Sequence, residues 1–115
     1  MNKSLIEHLS ECRSLNNGTC LVTLYVPGTA KINDVNKMVS SEISKTPNIK
    51  SKHTRQGVQD ALQAISTHIK NMKSTPNNGI AFFTGPTIDG FESVAIEPLR
   101  PIDRFFYRCE NSFCV

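Results

Sequence analysis

Apolar residues recur at helical spacing in three stretches of this chain and cluster into β-prone runs in four others. From Ser4 to Leu15, Leu5, Leu9 and Cys12 share a face with Glu7 and Glu11 between them, which predicts a short first helix stopped by Asn16-Asn17-Gly18. Cys20 to Val26 is nearly continuous in β-formers and closes on Pro27-Gly28, as expected of a central strand covered on both faces. Ile32, Val35, Val39 and Ile43 mark a second helix, which should end before Pro47 because proline pushes the residue ahead of it out of the α region. In the third helix Val58, Ala61, Leu62, Ile65, Ile69 and Met72 make one stripe, with Ser51 or Thr54 as N-cap and Pro76-Asn77-Asn78-Gly79 as its end. Ile80 to Thr84 and Phe91 to Ile96 read as strands joined by a hairpin loop from Gly85 to Gly90. A last short strand is expected at about Arg104 to Arg108, after the Pro98 and Pro101 linker. The order α, β, α, α, β, β, β predicts an α+β domain: a four-stranded β-sheet packed with helices, from which helices two and three project as a helical hairpin.

A length of 115 residues suits a single domain, and neither a repeat nor a low-complexity segment divides it. The formal charge of +3 is mild but unevenly placed, since Lys45, Lys50, Lys52 and Arg55 fall between positions 45 and 55 with no carboxylate among them. That stretch is the bend of the predicted hairpin, so its cations meet solvent or a polyanion. Cys12, Cys20, Cys109 and Cys114 include no Cys-x-x-Cys pair, and the N-terminus has no apolar run with a small-residue cleavage site. The expectation is buried free thiols in a reducing, cytoplasmic protein, with no zinc site and no cofactor. No apolar run has the length that a membrane span requires.

A hydrolytic centre needs a nucleophile or activated water, a base and a stabiliser of developing charge. His8, His53 and His68 belong to no nucleophile motif, and the glycines punctuate turns without forming a phosphate-cradling loop, so the expectation is a binding module and not an enzyme. Reading unpaired RNA calls for cations on phosphates, short polar groups on base edges and aromatics for stacking. Lys50, Asn48, Glu42 and Tyr107 supply those groups, Glu42 as an acceptor-only carboxylate suited to an exocyclic amino group. Each also has a plain structural use: Asn48 in a turn, Glu42 on a solvated helix face, Tyr107 in the core.

Four segments in order decide the weighing: Asn48-Ile49-Lys50-Ser51 running into Lys52 to Leu62, Pro76 to Gly85, Ile96 to Ile102, and Tyr107-x-Cys109-x-x-x-Phe113. Together they resemble the codon-recognition domain of the class-1 peptide chain release factors of eukaryotes and archaea, over nearly the whole chain. The resemblance implies one domain, residues 1–115, that recognises stop codons of mRNA in the ribosomal A site during translation termination. It implies that Asn48 and Lys50, in a tip completed by Ile49 and Ser51, sense the first-position uridine. Glu42 would read purine amino groups, Tyr107 and Cys109 would form the pocket around the purines, and Thr19, beside Gly18, would contact the third position. Met38 and Val58 are implied as supporting pocket residues, Arg55 as steering phosphate or orienting Tyr107, and Phe113 as the end of the Tyr-x-Cys-x-x-x-Phe element.

The chain departs from that family's pattern at two places. Cys20 stands where the family carries the serine of Gly-Thr-Ser, and Lys45-Thr46-Pro47 stands where it carries Thr-Ala-Ser. Replacing a hydroxyl by a thiol weakens both a donor and an acceptor. These residues contain no Gly-Gly-Gln loop for peptidyl-tRNA hydrolysis and no domain for the partner class-2 GTPase. The implied partners are therefore the stop codon, small-subunit ribosomal RNA and the ribosome, with the GTPase reached only through further domains. A solitary regulatory homologue that occupies ribosomes without codon-specific decoding is the other reading.

Overall fold

The computed structural model describes residues 3–15 and 18–115, so the predicted Asn16-Asn17 helix stop lies outside the described residues. Helix α1 (Lys3–Glu11) is followed by strand β1 (Leu21–Val26), helix α2 (Ile32–Lys45), a 3-10 turn (Thr46–Asn48), helix α3 (Lys52–Lys70) and strands β2 (Ile80–Thr87), β3 (Gly90–Ile96) and β4 (Phe106–Glu110). The strands form an antiparallel sheet in the order β3-β2-β1-β4. The α+β architecture, the four strands and the central place of β1 follow the pattern expected from sequence.

Side chains alternate across a strand, so β1 feeds two cores. Val22, Leu24 and Val26 join Phe82 on one face, beneath Val35 and Val39 of α2 and Val58, Ala61, Leu62, Ile65 and Ile69 of α3. Leu21, Ala81 and Phe83 join Leu9 and Cys12 on the other face, together with Phe113. The C-terminal segment is held there by the Cys114 amide, which donates to Thr23 Oγ1 at 3.0 Å, and by Tyr25, whose hydroxyl donates to the Cys114 carbonyl.

Several boundaries differ from expectation, each through a contact far away in sequence. Helix α1 stops before Leu15 because Ser14 bridges to Thr87 and donates its amide to Asn111, 3.0 Å away. Helix α3 ends at Lys70, well before Pro76, and Met72 packs against the core from beyond the helix. Pro76 to Gly79 instead forms the turn that enters β2, with Gly79 at a φ of 88°, where a side chain would be strained. Strand β2 continues through Gly85 and Pro86 to Thr87, replacing the expected loop by a two-residue connection, Ile88-Asp89. Pro86 fits there because the β1 pairing runs out at Val22↔Thr84, so only β3 pairs with it. Strand β4 starts two residues late because Asn78 holds the linker: its Nδ2 donates to the Pro98 and Leu99 carbonyls, and its own carbonyl accepts from Ile102.

Candidate functional site

The bend between α2 and α3 is built from its own backbone. Helix α2 gives way to a 3-10 turn at Thr46-Pro47-Asn48, so the chain stays helical in sense through the proline, although Thr46 was expected to leave the α region. Thr46 is the pivot: it is buried, its hydroxyl donates to the Ile43 carbonyl at 2.7 Å, and it accepts from Gln59 Nε2 at 3.0 Å. The Ile49 amide returns to the Thr46 carbonyl at 3.0 Å, and the Arg55 guanidinium donates to the Ile49 carbonyl at 3.0 Å. Ser51 caps α3 by accepting from the Thr54 amide at 3.3 Å. Changing it to alanine should cost about 1 kcal/mol in a urea or thermal unfolding experiment, because it leaves a helix N-terminal amide unpaired.

Asn48 and Lys50 stand exposed on this bend, whereas Ile49 turns inward. It turns into a cleft of about 300 Å³ lined by Thr19, Glu42, Lys45, Thr46, Ile49, Thr54, Val58, Tyr107 and Cys109. Three elements supply its chemistry. Glu42 comes from the last turns of α2, and Thr19 comes from the segment leading into β1. Tyr107 and Cys109 are alternate residues of β4 and face the same side. The Cys109 thiol donates to the Tyr107 oxygen at 3.1 Å. Burial, then that thiol partner, pushes the Tyr107 phenol well above its ordinary range; burial also raises the Cys109 thiol, with the hydrogen bond to Tyr107 opposing it. Both groups therefore keep their protons at neutral pH; with the thiol donating to the Tyr107 oxygen, the phenol O–H is the donor left to face Glu42. The Glu42 carboxylate is 3.2 Å from Lys45 Nζ, one turn along the same helix.

Of the residues singled out from sequence, Thr19, Glu42, Ile49, Val58, Tyr107 and Cys109 meet in one cleft, with Asn48 and Lys50 on its rim element. Arg55 bonds the Ile49 carbonyl, and the Tyr107 hydroxyl is partnered by Cys109, so Arg55 shapes the bend. Gly18 lies beside Thr54: a β-carbon there would come 2.9 Å from Thr54 Oγ1. Met38 packs against the core behind the cleft without lining it. Phe113 sits on the opposite face of the sheet, edge-on to Phe83 with centroids 5.9 Å apart, and is a core residue there. Cys20 is buried with its thiol aimed at the Pro86 carbonyl, 3.9 Å away, and borders a second, smaller cleft with His53, Gln56 and Asp60. Helix α3 passes so close that a β-carbon on Gly57 would meet Cys20 Cβ at 2.7 Å. The sequence marked Lys45-Thr46-Pro47 only as a departure from the family's pattern and Thr54 only as a candidate N-cap, and it gave no sign of Gln59, which holds Thr46. A threonine directly before proline in a polar bend was the available signal for Thr46.

All of residues 1–115 match the family model eRF1 domain 1. The peptide chain release factor subunit 1 of Methanopyrus kandleri is 37% identical over 115 residues, which cover 96% of this chain and 28% of that protein. The eukaryotic peptide chain release factor subunit 1 of Tetrahymena thermophila is 36% identical over 118 residues, covering 98% and 27%. The crystal structure of the archaeal translation termination factor aRF1 superimposes with a TM-score of 0.88 at 35% identity, over 96% of this chain and 31% of that one. The chain thus spans roughly a quarter to a third of the length of these relatives. With the whole chain matched and the fold shared, the protein belongs to the eRF1 domain 1 family.

Proposed function

We propose that this domain recognises stop codons of mRNA in the ribosomal A site and so serves the decoding step of translation termination. The observation that carries this reading is the convergence of the exposed tip, Asn48 and Lys50, with a cleft that places an acceptor-only carboxylate opposite a neutral phenol, backed by a thiol, and a threonine. Purine edges present amino donors and carbonyl or ring-nitrogen acceptors, so a site with Glu42 on one wall and Tyr107, Cys109 and Thr19 on the others matches them in kind. Lys50, with Asn48, reads the first-position uridine at the rim, and the cations Lys45, Lys50 and Lys52 favour approach of the phosphate backbone. The domain binds and discriminates; peptide release and the partner GTPase belong to other segments of a complete factor. The site of action is the cytoplasmic ribosome.

The test joins this domain to the remaining domains of an archaeal factor and measures binding to ribosomes programmed with stop or sense codons. Stop-codon ribosomes should bind more tightly. Equal binding to both would remove the decoding claim and leave a ribosome-occupying module. Replacing Lys50 by alanine should weaken the stop-codon complex about tenfold, the scale of one good base contact. The thermal midpoint should hold, since Lys50 is exposed and no fold contact depends on it. A large drop in that midpoint would make Lys50 structural.

A further inference from the structure

On the face of the sheet opposite the cleft, α1 and the edge strand β3 bring together three side chains of different chemistry. His8 Nε2 lies 3.0 Å from Glu92 Oε2 and 3.9 Å from Cys12 Sγ, and the three ligand atoms all fall within 4.8 Å of one another. His8 and Cys12 are one helical turn apart and so share a face, while Glu92 arrives from far along the chain. An imidazole nitrogen, a thiol and a carboxylate are the donor types that zinc takes, and three protein ligands leave a fourth position for water. Zinc bonds of about 2.0–2.1 Å to nitrogen or oxygen and about 2.3 Å to sulfur, at tetrahedral angles, separate N from O by about 3.3 Å and N from S by about 3.5 Å. The observed His8–Glu92 and His8–Cys12 separations of 3.0 and 3.9 Å lie within a few tenths of an ångström of those values, and with all three atoms within 4.8 Å of one another the site can be closed by side-chain rotation.

We propose that His8, Cys12 and Glu92 form a zinc-binding site that fastens α1 to strand β3. Without metal the Cys12 thiol donates to the His8 carbonyl at 3.4 Å. Burial, with the Glu92 and Asp89 carboxylates, holds it above its ordinary pKa. On binding, the thiol proton goes to solvent, the thiolate takes the metal, and the carboxylates that had opposed ionisation now face a dication. Helix α1 has 9 residues, too few to be stable alone, so a metal tie across to β3 fixes an element that local propensity leaves marginal. The site is independent of codon recognition, since its residues line no part of the cleft.

The full chain titrated with Co2+ tests this. Expected are one ion per chain, a thiolate-to-cobalt charge-transfer band that zinc displaces, release of about one proton per ion, and a higher thermal midpoint. Cys12→Ser should abolish the band. His8→Ala, at an exposed position outside the core, should weaken zinc binding at least about tenfold. Cys20→Ser, which probes the competing Cys20 and His53 pair at the second cleft, should leave the band and the stoichiometry of folded protein unchanged, whatever it costs in stability at that buried position. A band that survives Cys12→Ser, or vanishes in Cys20→Ser, would overturn the proposal, as would zinc affinity unchanged by His8→Ala. Should Cys12→Ser fail to fold, the His8→Ala and Glu92→Gln affinities decide.

Discussion

Replacing Phe82 by alanine should remove about 3–5 kcal/mol of stability, the range for emptying a buried aromatic site. Phe82 is 1% exposed at the centre of β2, lies across from Leu24 in the sheet register, and meets the His68 ring edge-on at 5.4 Å. It fills the floor beneath α3. A domain of this size holds roughly 5–15 kcal/mol in total, so the loss approaches the whole margin and should show as a large fall in the urea midpoint. Phe91 is the control: half exposed at the start of β3, its alanine variant should stay within about 0.5 kcal/mol of the parent. The difference has a functional edge, because α3 carries Val58 into the cleft and its first turn holds the bend. A Phe82→Ala protein that still folds at low temperature should also bind stop-codon ribosomes less well.

Glu42→Gln should separate stability from reading more cleanly. The carboxylate is only an acceptor, so an amide in its place presents a donor to any amino group that it had received. Losing one such contact is worth about 1–3 kcal/mol, which is about a tenfold or greater weakening of the complex with stop-codon ribosomes. Sense-codon binding should be unchanged. The fold should barely respond, because the pairing partner of Glu42 is Lys45, a mostly exposed neighbour on the same helix turn, and such pairs contribute little. A loss of stability comparable to that of a core substitution would instead make Glu42 a structural residue. Equal weakening for stop and sense codons would make it a general electrostatic contact.

Much of this architecture is readable along the chain because its signals are local. The stripe of α3 is one: Val58, Ala61, Leu62, Ile65 and Ile69 are all buried, as the spacing requires. The unbroken β-former run of β1 is another, with a core on either side of it. Pro86 shows where locality fails. Proline argues against a strand unless one edge is unpaired, and that depends on where β1 stops pairing, which neither residue encodes near itself. Thr46 fails likewise, its burial being set by Gln59 from the next helix. In Tyr107-x-Cys109-x-x-x-Phe113, even spacing within the strand put the first two on the cleft face, while Phe113, at even spacing too, lies beyond the strand's end at Glu110, where alternation no longer holds, and packs beneath the sheet. His8, Cys12 and Glu92 meet only because α1 lies against β3, so helical spacing in the sequence carried two of the three residues, His8 and Cys12, and not Glu92.

The bend at 46–51 is closed by hydrogen bonds to its own chain, through Thr46, Ile49, Ser51 and Arg55. The conformational entropy of its backbone is therefore lost when the domain folds and not when the tip meets a partner. Ordering a free side chain at an interface costs about 0.5–1.5 kcal/mol, and a preformed tip avoids much of that cost on association. On the reading proposed above, the backbone of the tip is set before binding, and what is left to order is the exposed Asn48 and Lys50 side chains and the nucleotides themselves. If the domain decodes as proposed, a preformed tip of this kind would discriminate by how readily each triplet adopts the required shape, so that codons with similar edges but different stacking preferences would remain distinguishable to it.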